Sequence, residues 1–287
     1  MKKIFSMMAA SAAAIAVLAS CNNGNQSGID DGKIDPSTIA SDALVAYIPF
    51  DGSAVEALSK TEASEKGSAV SYVNGRRGKC LQGAENGYLI FNLPQLNKMS
   101  SFSISMWINQ PTVPSSQAPV PCYISFLNSE NFWNDLAIVT DRRDDDFIAY
   151  KLYWKSETYD VWKTSDGKTD EAYDWGMAYP ANRWTHIIWS YDENTSEFHA
   201  FVNGVDVTPE NYVAVLANDA PAGAITFHPF TQVLINGWRQ KVLEGATDEW
   251  MGWMNGQMDE LRIYNKGLNA TEAKNLYDAE ISQLEFS

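Results

Sequence analysis

The residues of this 287-residue chain that could carry chemistry are 36 acidic side chains, three His, three Cys, ten Trp and 13 Tyr. His186, His199 and His228 are scattered and offer no close-spaced pair of metal ligands. Asp259 and Glu260 fall in a strand-like run, where neighbours point to opposite faces, so they do not flank a scissile bond together. No Gly-x-Ser-x-Gly turn and no Gly-rich phosphate loop occurs. The run Asp141-Arg142-Arg143-Asp144-Asp145-Asp146 lacks the Gly and the terminal Glu of a calcium-binding loop. It reads as a solvated hairpin tip, with an Arg pair reaching a polar ligand as the alternative. The aromatics remain. An indole face packs on the C–H face of a sugar ring, and neighbouring polar groups then fix the hydroxyls. Trp133, Trp154, Trp162, Trp175, Trp238 and Trp250 are candidates for the first task, and Asn134, Asp135, Arg142 and Lys155 for the second. The alternative is that the long segment 128–180 uses its aromatics as a small core of its own.

These side chains need a frame, and the frame has period two. In Ser101-Phe102-Ser103-Ile104-Ser105-Met106-Trp107-Ile108 the residues Phe102, Ile104, Met106 and Ile108 share one face, as in a half-buried antiparallel strand. Further strands are expected over 44–50, 87–93, 122–127, 135–139, 147–154, 159–163, 184–191, 197–202, 224–227, 232–236 and 257–264. Asn203-Gly204 after Phe201-Val202 predicts a tight hairpin, since both turn positions need positive φ. One helix is expected late in the chain. Asn269 caps it, Glu272 completes a capping box, and Ala273, Leu276, Tyr277 and Ile281 form its apolar stripe. The fold class is therefore all-β, an antiparallel two-sheet sandwich with one short C-terminal helix, in one domain over residues 43–283.

The N-terminus is an address. Lys2 and Lys3 precede an apolar stretch from Ile4 to Leu18, too short to span a membrane, that ends in Leu18-Ala19-Ser20-Cys21. This resembles the lipobox of bacterial lipoproteins, which implies a signal peptide over 1–20, a lipidated Cys21 and a membrane anchor without a spanning helix. Asn22 after the cysteine implies release to the outer membrane. Asp30-Asp31 resembles, more distantly, the export tags of surface lipoproteins in Bacteroidetes. Residues 21–42 are rich in Asn, Gly, Ser and Asp and read as a flexible tether. Removing residues 1–20 takes two of the 21 basic residues and no acid, leaving 36 against 19 and a net charge of −17. That charge excludes nucleic acid as a partner. With Cys21 assigned to the anchor, Cys80 and Cys122 are expected as free buried thiols, or as a disulfide if their strands lie adjacent.

The later segments carry a family resemblance. Gly256-Gln257-Met258-Asp259-Glu260-Leu261-Arg262-Ile263-Tyr264-Asn265-Lys266-Gly267-Leu268, with Glu272 and Leu276-Tyr277, resembles the closing strand and helix of laminin G-like, concanavalin A-like jelly rolls. Ala46 to Gly52 is similar to their opening strand, and Gly78-Lys79-Cys80-Leu81 to their second landmark. Phe102 to Ile108, Trp184 to Ile188 and Phe201 to Val205 match the central strands in order. The resemblance implies a jelly roll and, in many such domains, a structural Ca²⁺ near the final strand. Asp259 is the first ligand candidate, expected on the core face with Leu261 and Ile263, and Asp51 the second. The other reading of Asp259 is a carboxylate accepting backbone N–H bonds. For function, a glycan-binding module is the leading expectation. A glycoside hydrolase or lyase, and an adhesion or accessory subunit with a protein partner in the envelope, are the alternatives.

Overall fold

The computed structural model describes residues 34–111, 119–144, 147–164 and 179–282. Among these, the alternating segments pair into two large sheets. The first contains β1 (Leu44–Ile48), β3 (Ser71–Asn74), β4 (Lys79–Gln82) and β6 (Phe102–Asn109). It also holds β12 (Thr185–Asp192), β13 (Glu197–Val202), β14 (Val205–Asp206) and β17 (Gln257–Tyr264). Their order is β14-β13-β12-β6-β17-β4-β3, with β1 also on β17. The second sheet contains β2 (Glu65–Lys66), β5 (Leu89–Asn92), β7 (Val120–Phe126), β8 (Leu136–Asp144) and β9 (Phe147–Lys155). It is completed by β10 (Asp160–Thr164), β11 (Tyr179–Pro180), β15 (Gln232–Ile235) and β16 (Met251–Gly252). Its order is β10-β9-β8-β7-β15-β5-β2, with β11 on β9 and β16 parallel to β7. Strands distant in sequence thus lie side by side, the jelly-roll pattern that the resemblance implies, built on the two-sheet sandwich expected from the periodicity.

The core lies between the sheets. Ile104, Met106 and Ile108 of β6 and Leu261 and Ile263 of β17 meet Ile124, Phe126, Leu136, Ile138 and Leu152 from the other sheet. Asn203 and Gly204 have φ of 49° and 77°, and Val202 pairs with Val205 across the expected turn. Two short helices were not expected, α1 (Glu210–Val213) and α2 (Arg239–Glu244). The expected helix is α3 (Ala270–Ser282). Asn269 accepts the N–H groups of Thr271 and Glu272, and Glu272 accepts that of Asn269. Residues 224–227 bury Ile225 and Phe227 alternately but form no strand. Their N–H and C=O groups go to the loops instead, Ile225 to Ser100 and Thr226 to Glu157. At the other end, Pro36 is buried in a short 3₁₀ turn ahead of the boundary expected at residue 43, and Ile39 and Ala40 pack with Leu276. Cys80 and Cys122 are free and buried, in different sheets, and burial pushes both thiols up to about 12.

One strand breaks the expected alternation. In β17 the register against β6 slips between Asp259 and Arg262, and Glu260 takes a left-handed φ of 54°. This bulge adds one residue to the strand and reverses the phase beyond it. Met258 pairs with core Ile108, so Asp259, opposite Trp107, is on the outer face and not with Leu261 and Ile263. The bulge also turns Asp259 and Glu260 to the same neighbour rather than to opposite faces. Arg77 donates its backbone N–H to Asp259 (2.9 Å) and its guanidinium to Glu260 (2.6 Å).

Candidate functional site

The outer face of the second sheet carries an aromatic cluster. Trp162 on β10 pairs across the strands with Tyr153 on β9, and their rings lie 4.8 Å apart. Trp133 packs edge-on against Trp162 at 4.8 Å and reaches Trp238 at 5.5 Å. Trp238 then packs on Trp250 at 4.9 Å, and Phe132 stacks on Trp250 at 6.0 Å. The members are not equivalent. Trp238 is only 1% exposed, with its indole N–H donated to the Val120 carbonyl (2.7 Å), whereas Trp162 and Trp250 are 40% and 42% exposed. Between them lies a cleft of about 290 Å³ lined by Trp133, Trp162, Trp250, Val120, Val139, Thr140 and Lys151. Among the described residues its lining includes no carboxylate.

Local chemistry explains how the rings are held. The loop before β8 turns on Asn134, in a left-handed φ of 65° that Asn tolerates. Asn134 is buried because its side-chain oxygen accepts from the Arg239 guanidinium (3.0 Å) and the Asn128 N–H (3.2 Å). Gln240, beside Arg239 on α2, donates to the Phe132 carbonyl (2.8 Å), and Asn131 donates to the Tyr153 hydroxyl (3.0 Å). The loop therefore presents Phe132 and Trp133 on a braced backbone, while the parallel pairing of β16 with β7 brings in Trp250.

Four of the six candidate tryptophans gather here, and two do not. Trp154 is fully buried between the sheets, edge-on to Phe102 and stacked on Phe198, so it is a core residue. Trp175 lies outside the described residues. Arg142 is placed on β8, and its side chain also lies outside them. Asn134 and Asp135 are 2% and 0% exposed and brace the loop rather than line the cleft. In their place the cleft has Thr140 and Lys151, two residues on strands whose pairing, not their sequence, turns them toward the tryptophans.

Asp135 points elsewhere. It accepts from Asn128 (2.7 Å) and makes a 3.2 Å hydrogen bond with His228 Nδ1, and burial raises its pKa. His228 lines a second cavity of about 390 Å³ with Glu130, Ser129, Phe230 and Thr231. His186 is fully buried beneath α3, hydrogen-bonded to Ser105 (2.8 Å), and burial lowers its pKa to about 3. It is therefore neutral and serves packing.

The calcium expectation can be tested on the donors. One oxygen of Asp259 accepts the Arg77 N–H and the other the Glu260 N–H. Exposed Asp51 accepts the Lys79 N–H (2.8 Å), so both aspartates hold one turn, residues 75–79. Calcium takes six to eight oxygens, and these two carboxylates already face N–H donors, with Arg77 and Lys79 beside them. Among the described residues no group of three or more His, Cys, Asp or Glu is placed to hold a metal. The residues at Asp259 do not fit the ion; they fit a carboxyl that caps a turn.

Burial raises the Asp259 pKa from 3.8 to about 8. The folded state then binds a proton that the unfolded chain has released, so this group's contribution to stability falls as pH rises from about 4 to about 8. Asp259→Asn carries a constant penalty for one lost acceptor but no such slope. Its stability relative to wild type is expected to rise with pH by up to about 1.4 kcal/mol per unit, with or without EDTA. Urea denaturation from pH 5 to 8 checks this. A difference that stays flat overturns it.

Comparisons with known proteins follow the same lines. Residues 82–274, more than half of the chain, match the model of the concanavalin A-like lectin/glucanases superfamily. A search of curated proteins found no match. Among solved structures, the chain is similar to domain 4 of AbnA, a GH43 extracellular arabinanase from Geobacillus stearothermophilus, solved in complex with arabinotriose. The TM-score is 0.51 at 16% identity, covering 82% of this chain and 98% of that one. It is also similar to a structure of botulinum neurotoxin type C, whose cell entry is described as dependent on two ganglioside molecules. There the TM-score is 0.57 at 15% identity, covering 85% of this chain and 53% of the other. The serotype G binding domain gives 0.55 at 14% identity, with 82% and 50% covered. The chain spans about half the length of these two toxin chains, and at such identities the likeness is one of fold. With the family model across both sheets and the jelly roll on the page, the chain belongs to the concanavalin A-like lectin/glucanases superfamily.

Proposed function

We propose that this protein is a non-catalytic glycan-binding module, held at the outer membrane, on its periplasmic or cell-surface face, by a lipid on Cys21. The observation that carries the reading is the cleft between Trp162 and Trp250, a largely apolar concavity with indole faces on its walls. Stacking on a sugar needs such faces, and the described residues of the lining supply no carboxylate pair for hydrolysis. The arabinotriose and ganglioside in the neighbours' descriptions support a carbohydrate as the ligand class. The membrane anchor rests on the N-terminal residues alone.

Magnitude sets the form of the ligand. A hexose has about a dozen heavy atoms, which at about 0.3 kcal/mol each gives a Kd near millimolar. A useful binder must therefore engage several sugars or act multivalently. The test is a glycan array followed by calorimetry on the mature chain carrying Cys21→Ser. Binding of an oligosaccharide with micromolar to millimolar Kd is expected; silence across the array overturns the reading. The hydrolase or lyase alternative has one observation behind it, His228 held by buried Asp135 at a cavity that also carries Glu130. Release of new reducing ends from any array ligand would favour it.

A further inference from the structure

The end of the first sheet just before the bulge carries a different kind of surface. Gln257 on β17 pairs in register with Gln82 on β4 and with Asn109 on β6, so three amides stand in one row across three adjacent strands. Asn182 and Asn255 add two more from neighbouring loops, and together with Pro111 they line a concavity of about 170 Å³. No charged residue lines it among the described residues. Backbone geometry allows this approach. The Gly83 N–H donates to the Gly256 carbonyl (2.8 Å), and a Cβ on Gly256 would collide with the Asn109 carbonyl.

The amides are partly committed to each other, which fixes their orientation. Asn109 Nδ2 donates to Gln257 Oε1 (3.0 Å), Gln110 donates to Asn255 Oδ1, and Gln82 Nε2 donates to the carbonyls of Gly83 (3.1 Å) and Gly256 (3.3 Å). Each side-chain amide has two donors and an oxygen with two acceptor sites. These bonds leave the Gln257 nitrogen, the Asn109 oxygen and the Gln82 oxygen as donor and acceptors within one row. Among the described residues a charged ligand finds no counter-charge here, and a flat apolar one finds Pro111 alone. A pair of neighbouring hydroxyls, each both donor and acceptor, matches a row of mixed donors and acceptors.

We propose that this amide row is a second binding site, for the hydroxyls of a neutral saccharide. The ligand class rests on the reading of the aromatic cleft, but the residues are separate. A single chain segment runs from Trp250 to Gln257, seven residues that reach at most about 25 Å when extended. A polysaccharide long enough to engage both sites gains affinity from the second contact through effective concentration.

The experiment is a ¹⁵N NMR titration of the mature Cys21→Ser chain with neutral oligosaccharides of the arabino, xylo, manno and malto series. The working concentration is about 20 mM, above the millimolar Kd expected of one sugar. The expected result is movement of the side-chain NH₂ signals of Asn109, Asn255 and Gln257 by at least one series. That movement persists in Trp162→Ala and is lost in Gln257→Ala and in Asn255→Ala, with the folded spectrum retained. If the Trp162 and Trp250 indole signals move while no amide does, the second site is overturned and the cleft stands. If neither set moves, both are overturned. Movement of the amides in wild type but not in Gln257→Ala or Asn255→Ala alone supports the proposal.

Discussion

Trp162→Ala is expected to weaken glycan binding about thirtyfold while leaving the fold intact. An indole that stacks on a sugar contributes about 2 kcal/mol, as aromatic anchors do at the centre of other binding sites. Trp162 is 40% exposed and sits on the outer face of β10, so its removal leaves no cavity between the sheets. Trp250→Ala should behave in the same way, and the double variant should bind below detection. Trp154→Ala is the contrast. Its ring is fully buried against Phe102 and Phe198, and a core cavity of that size costs about 3–5 kcal/mol. Calorimetry with the array ligand and thermal unfolding separate the two classes. A Trp162→Ala protein that binds as tightly as wild type would remove the cleft from the mechanism.

Glu280→Ala is expected to destabilise the protein by about 3–5 kcal/mol, without touching either binding surface. Glu280 lies in the last turns of α3 and is fully buried against the first sheet. It pairs with the Arg262 guanidinium, and its other oxygen accepts the Trp107 indole N–H (2.6 Å). Arg262 is buried as well, pairs with Glu260 (2.8 Å) and stacks over the Tyr47 ring at 4.2 Å. Removing Glu280 leaves a buried guanidinium short of one partner and an indole N–H without an acceptor. The Glu280→Leu, Arg262→Met pair removes both charges at once and should recover much of that loss. A double-mutant cycle by urea denaturation measures the coupling. A cost below about 1 kcal/mol for Glu280→Ala would mean that the network is not sealed by α3.

Much of this frame was legible in the residues. Ser101 to Ile108 alternates because a strand places neighbours on opposite faces, and that rule acts within a few residues whatever the rest of the chain does. Asn203-Gly204 and the Asn269–Glu272 capping box are likewise local. Asp259 was misplaced for an equally local reason that no composition reveals: Glu260 enters a left-handed conformation, and one extra residue reverses the phase of the strand. Glu280 fell on the same helical face as Ala273 and Leu276, yet nothing in α3 itself announces that Arg262 waits under it. The amide row was invisible because Gln82, Asn109 and Gln257 are ordinary polar residues in three separate strands.

The tryptophans mark the boundary between the two kinds of knowledge. The sequence by itself determined that the chain is β-rich and that six indoles needed a purpose beyond the framework. Which of them meet was decided by pairing across distant segments. The β9–β10 register sets Trp162 beside Tyr153, the parallel contact of β16 with β7 delivers Trp250, and Asn134 and Arg239 fix the loop that carries Trp133. Trp154, one strand away from Trp162, alternates to the other face and enters the core. Periodicity assigns a side chain to a face; only the closed sandwich decides whether that face meets the opposite sheet or solvent.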